Sequence, residues 1–74
     1  MKKIDDIMRV RIRSLRAQRN YTQEYVAFKL DISQRAYSKI ETGKTKLRID
    51  HLIALADVFK VPINYFFENL ELPW

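Results

Sequence analysis

The chain contains no cysteine, one glycine and two prolines in 74 residues. Without cysteine there can be no disulfide staple and no thiolate metal site, and a reducing compartment is compatible with the composition. So little glycine and proline leaves few places for hairpins and much room for uninterrupted helices. No apolar run approaches the roughly 20 residues of a membrane span. Met1-Lys2-Lys3 leads into Ile4-Asp5-Asp6 rather than into an apolar stretch of signal-peptide length. The expectation is a soluble cytoplasmic protein with no membrane partner. No glycine-rich phosphate loop, Ser-His-Asp set or paired-carboxylate arrangement stands out, and His51 is a lone histidine without companion ligands. No catalysis, metal or cofactor is therefore expected.

A hydrophobic fraction of 47% is too high for a disordered chain. Residues 1–74 suffice for one domain with a small core, which is marginal unless its helices pack well or its subunits associate. Fourteen Lys and Arg against nine Asp and Glu give a formal charge of +5, which suits a polyanionic partner. The distribution says more than the total. Between Ser33 and Arg48 five basic residues (Arg35, Lys39, Lys44, Lys46, Arg48) stand with one acid, Glu41. From Val61 to Trp74 there is no basic residue, and there are four aromatics. The first stretch has the character of a phosphate-binding surface and the second that of a packing surface.

Ile4, Ile7, Met8, Ile12 and Leu15 recur at three- and four-residue steps, which predicts an amphipathic helix from about Asp5 to Arg19. Arg9, Arg11 and Arg13 fall mostly off that face and read as a solvated surface. Asn20 suits a left-handed stop. Thr22 can cap a second helix whose inner side is Val26, Ala27 and Leu30, with Glu24 near its positive end. Asp31 tolerates the left-handed conformation of a tight turn. Ser33 then caps a third helix, Gln34 to Thr42, stopped by Gly43. Ala36, Tyr37 and Ile40 point inward. Lys44 to Arg48 is a short basic loop. A fourth helix presents Ile49, Leu52, Ile53, Leu55, Ala56 and Phe59 and has no obvious N-cap residue. Pro62 suits the first position of a fifth helix carrying Ile63, Tyr65, Phe66 and Phe67. The predicted fold is an all-α bundle of five short helices.

The informative unit is 22–43: helix, tight turn, helix. Such a turn sets the helices at a steep angle, so that one lies across a DNA backbone while the other enters the major groove. Ser33, Gln34, Arg35, Ser38 and Lys39 form the outward set of the second of these helices. Gln can pair with adenine, and Arg or Lys with guanine.

The runs Ile12-Arg-Ser-Leu-Arg16, Tyr21-Thr-Gln-Glu-Tyr-Val-Ala27, Ile32-Ser-Gln-Arg-Ala-Tyr-Ser-Lys-Ile-Glu41 and Gly43-Lys44 resemble the XRE family of helix-turn-helix DNA-binding proteins, the fold of lambdoid Cro proteins and repressors. The likeness covers about residues 8 to 67. Asp31 departs from the glycine common at the turn, and the stretch around Arg48 lacks the Pro or Ser that often opens the fourth helix. Tyr25 and Tyr37 stand where aliphatic residues are commoner. The resemblance implies that Ser33, Gln34, Arg35, Ser38 and Lys39 face bases or nearby backbone of double-stranded DNA. It implies phosphate contacts from Gln23, Thr42, Lys44 and Lys46, and a partly buried ion pair of Arg16 with Glu41.

The function expected is sequence-specific transcriptional regulation by a two-fold homodimer. An alternative is an antitoxin that binds a toxin protein through its apolar end and regulates its own operator. The segment 62–74, with Tyr65, Phe67, Leu70, Leu72 and Trp74, is either core or dimer interface.

Overall fold

The computed structural model describes residues 4–70. Four helices follow in order: α1 Ile4–Gln18, α2 Gln23–Leu30, α3 Gln34–Thr42 and α4 Ile49–Phe59. A single 3-10 turn, Ile63–Phe67, closes the described chain. Among the described residues there is no strand, so the fold is all-α. No described helix is long and apolar enough to cross a membrane.

The expected fifth α-helix is a correction. Pro62 does not open a helix from inside; it stands before the turn, with extended backbone at φ −68° and ψ 152°. The segment has little length in which to propagate, because Asn69 already turns left-handed at φ 59°. Its purpose in the packing is narrow. It drives Phe66, with no exposed surface, into the core, a burial whose loss to alanine costs about 3–5 kcal/mol. Of the residues expected at a dimer interface, Tyr65 and Leu70 are half-buried against this core and Phe67 is exposed. Leu72 and Trp74 lie outside the described residues.

Met8, Ile12 and Leu15 of α1 meet Val26 and Ala27 of α2, Tyr37 and Ile40 of α3, and Leu52, Leu55, Ala56, Val58 and Phe59 of α4. The periodic reading overreached on α4. Ile49 and Ile53 sit on the flank of its inner face and are 61% and 57% exposed, whereas Val58 is buried.

Three helices end in one motif. Asn20, Asp31 and Lys60 turn left-handed at φ near 60°. The amide after each reaches back to close the last turn: Tyr21 to Arg16, Ile32 to Ala27 and Val61 to Ala56. Asp31 thus does the work of the absent glycine in the tight turn between α2 and α3. The start of α4 is held without an N-cap serine. The Arg48 amide donates to His51 Nδ1 at 3.3 Å, and the His51 amide donates to the Asp50 carboxylate at 3.1 Å.

The arginines of α1 are a second correction. Arg9 is 7% exposed. Its Nε donates to the Ile40 carbonyl and its Nη2 to the Thr45 carbonyl, both at 3.0 Å. Arg13 donates to the Glu41 carbonyl at 2.7 Å, Arg11 to Phe66 and Arg19 to Phe59. Arg9 and Arg13 thereby close the end of α3, Arg11 that of the 3-10 turn and Arg19 that of α4, where backbone carbonyls lack helical partners. These side chains fasten α3, α4 and the 3-10 turn to α1 and its exit; Arg9 is buried and Arg11 half-buried, whereas Arg13 and Arg19 make their bonds from exposed positions.

Candidate nucleic-acid interface

The second and third helices start on side-chain caps. Thr22 Oγ1 accepts from the Tyr25 amide, and Ser33 Oγ accepts from the Ala36 amide, each at 3.0 Å. A cap of this kind is worth about 1 kcal/mol, and here it also fixes where each helix begins. Tyr37, Ile40 and Glu41 are the buried side of α3. Its other side leaves Gln34, Arg35, Lys39 and Thr42 exposed and Ser38 half-exposed. Ala36 is half-buried between the two.

The angle between α2 and α3 is locked through one carboxylate. Glu41 is 1% exposed. It accepts from Arg16 Nε at 2.6 Å and Arg16 Nη2 at 3.2 Å, from Gln23 Nε2 at 3.0 Å, and from the Tyr37 hydroxyl. Burial pushes the Glu41 carboxyl upward, but the bonds from Arg16, Tyr37 and Gln23 outweigh it and hold it below the ordinary range. Tyr37 moves the other way: burial and the adjacent carboxylate keep its phenol protonated and donating. The hydrogen bond to Glu41 likewise raises Arg16. One charge from each of α1 and α3, with donors from α2 and α3, fixes three helices at one point.

Of the residues expected at DNA, all but Ser33 and Lys46 line a single open concavity of about 470 Å³: Gln23, Gln34, Arg35, Ser38, Lys39, Thr42 and Lys44. The members differ in what remains free. Ser33 Oγ is engaged as an acceptor at the cap, and its proton is left to donate. The Thr42 hydroxyl donates to the Ser38 carbonyl at 2.9 Å, which leaves its oxygen to accept. Gln23 gives one amide proton to Glu41 and keeps the other. Gln34, Arg35 and Lys39 make no side-chain hydrogen bond within the described residues. Lys46 is exposed on the loop beyond Lys44. Among the described residues, no group of three or more His, Cys, Asp or Glu side chains could hold a metal ion.

The arginine anchors Arg9 and Arg13 went unseen in the sequence, although a signal was present. Arg9, Arg13 and Arg16 repeat the spacing of the core residues Met8, Ile12 and Leu15, moved by one position. A stripe of arginine beside an apolar stripe is the pattern of side chains that lie along an interface rather than away from it.

A helix-turn-helix family model matches residues 12–66. Two uncharacterized HTH-type transcriptional regulators, from Rickettsia conorii and Rickettsia prowazekii, are each 28% identical to the chain over 71 residues. Those matches cover 96% of this chain and 57% and 55% of the two regulators. An uncharacterized transcriptional regulator in the ATPase CF(0) region of Rhodospirillum rubrum is 33% identical over 61 residues, or 82% of this chain and 56% of that protein. The chain thus spans about half the length of these curated relatives. No solved structure matches it. With a family model spanning the four helices from within α1 to the 3-10 turn, and with a capped, tightly turned α2–α3 unit at its centre, this chain belongs to the XRE-type helix-turn-helix family of transcriptional regulators.

Proposed function

We propose that this protein is a sequence-specific regulator that binds double-stranded DNA by laying α3 in the major groove. One observation carries the reading. The concavity between the start of α2 and the outer side of α3 gathers two amides, three cations and two hydroxyls on one face, while the inner face of α3 is spent on the core and on Glu41. In this reading Gln34, Arg35, Ser38 and Lys39, exposed or half-exposed on the outer side of α3, meet base edges, with Ser33 at the helix entry. Gln23, Thr42, Lys44 and Lys46 flank them and suit phosphates, which position the protein without specifying sequence.

The same reading takes the DNA-bound form to be a two-fold homodimer. Exposed apolar side chains on the 3-10 turn, Ile63 at 37% and Phe67 at 39%, support a self-association surface at that end. Two recognition helices would then meet half-sites about 34 Å apart, one turn of the double helix.

Selection of binding sites from random duplex DNA tests both parts. The expected result is an enriched inverted repeat with that spacing, bound with an affinity that falls steeply as salt rises. An unenriched pool with no salt-dependent binding contradicts the function, and an enriched single half-site contradicts the dimer alone.

A further inference from the structure

The loop after α3 carries Lys44 and Lys46, and it is tied down from two sides. Within the loop, the Gly43 and Thr45 amides both donate to the Lys39 carbonyl, at 3.1 and 3.2 Å. From beneath, Arg9 of α1 donates Nε to the Ile40 carbonyl and Nη2 to the Thr45 carbonyl. Its third group, Nη1, reaches Asp6 at 3.5 Å. The guanidinium therefore spans the last turn of α3 and the middle of the loop. Gly43, at φ +87°, lies directly over it, with the guanidinium carbon 3.7 Å from where a Cβ would stand. Leu47 then tucks against the core and fixes the far end of the loop.

We propose that Arg9 is a positioning residue for DNA binding: its fork holds the loop Gly43–Lys46 in the shape that places Lys44 and Lys46 beside α3. This inference rests on the DNA-binding reading above. Thr45 lies between the two lysines, and its backbone is held on both sides, amide to Lys39 and carbonyl to Arg9. Thr45 is half-buried while Lys44 and Lys46 on either side of it are exposed, so holding the Thr45 backbone toward the protein leaves both lysines directed outward. Without the fork, the loop keeps its charge but gains conformations, and binding must then supply the ordering entropy. A guanidinium suits the site because its Nε and Nη2 donors, rigidly spaced in one plane, reach two separate carbonyls; an ammonium gathers its donors on one nitrogen at the end of a flexible stem. Arg9 also carries most of its surface away from solvent, 7% exposed, so its charge lies under the loop without competing for a phosphate directly.

Arg9→Lys separates geometry from charge. In the folded variant, at a temperature well below its melting point, affinity for the selected site should fall about three- to tenfold. The slope of log affinity against log salt should not change, because both phosphate-facing lysines remain. Amide exchange at Gly43–Lys46 should quicken more than exchange in the middle of α1 or α3. In a Lys44→Ala/Lys46→Ala background, Arg9→Lys should cause no further loss of affinity. Wild-type affinity in folded Arg9→Lys would overturn the proposal, as would an equal loss in the background lacking both lysines. A role confined to stability would lower the melting temperature and leave the affinity of the folded protein unchanged. Should Arg9→Lys not fold, the wild-type protein still decides. Its Arg9 Nε proton should exchange slowly while that of Arg35 exchanges fast, and fast exchange at Arg9 refutes the fork. A wild-type protein that binds no DNA would fail the DNA reading itself, before any variant is compared.

Discussion

Most cations of the described residues fall into two regions that composition cannot tell apart. Along α1 and at its exit, Arg9, Arg11, Arg13, Arg16 and Arg19 give their donors to other parts of the same chain. On α3 and the loop after it, Arg35, Lys39, Lys44 and Lys46 give none within the described residues. A formal charge of +5 counts both sets alike. What separates them is the neighbourhood. The arginines of α1 and its exit reach carbonyls at the ends of other elements or, for Arg16, the Glu41 carboxylate, whereas Arg35, Lys39 and Lys44 line an open concavity and Lys46 stands exposed on the loop beside it. Charge thus serves the fold on one side of α3 and, in the proposed function, the DNA on the other.

The comparison breaks most visibly at Glu41, where the structural set is concentrated. Glu41→Ala leaves Arg16 without its partner and the Tyr37 hydroxyl and a Gln23 amide proton without an acceptor. Breaking a buried pair costs about 3–5 kcal/mol, and the side chain of Arg16 keeps 21% of its exposure, so the lower end applies. Chemical denaturation should show that loss. The pH dependence has a definite sign. A carboxyl held below its ordinary value in the folded state contributes stability that is present above the unfolded value, about 4.3, and is lost as pH falls through the folded one. Melting temperature should therefore drop below about pH 4, and Glu41→Gln, less stable at neutral pH, should lack that step.

The next largest effect belongs to the ligand set. Gln34→Ala and Arg35→Ala should each relax preference at one base position by roughly 1–3 kcal/mol, read as a changed selected site with little change in melting. An unchanged site would reassign those side chains to the backbone. Arg19→Ala should behave in the opposite way. It removes two donors to the Phe59 carbonyl, at 3.2 and 3.0 Å, and should cost about 1 kcal/mol of stability, because the group is exposed and partly screened. Its effect on DNA affinity should be negligible.

Lys60 supplies a control outside both regions. It is a cation only by its side chain; its structural task is a left-handed backbone at φ 60°. Glycine takes that conformation without strain, so Lys60→Gly should raise stability by up to about 1 kcal/mol and leave DNA binding alone. A loss of affinity there would show that net charge, and not placement, drives binding.

Much of the ligand region was legible in the sequence, and the reasons are local. Thr22 and Ser33 as caps, Asp31 as a left-handed turn and Gly43 as a stop are decided within a few residues of each other, and together they set the phase of α3. Once that phase is set, Tyr37 and Ile40 must go in and Gln34, Arg35 and Lys39 must stay out. The structural region was not legible in the same way. Arg9 finds its acceptors at Ile40 and Thr45, 31 and 36 residues away, and those acceptors are backbone carbonyls that any residue provides. The arginine stripe beside the apolar stripe marks an interface, but nothing in the sequence names the carbonyl that receives each bond. The turn at Ile63–Phe67 was misread for a related cause. Its apolar residues allow helical spacing, but its length and its left-handed exit at Asn69 leave room only for a 3-10 turn. Ile49 and Ile53 show that periodicity finds a face and not its width.

The division between the two sets is tested most directly by the salt dependence of binding to the selected duplex. Lys44→Ala and Lys46→Ala should each lower the magnitude of the log–log slope by about one, while Arg11→Ala and Arg19→Ala leave the slope of wild type. Slopes lowered by the α1 variants and untouched by the loop variants would contradict the account.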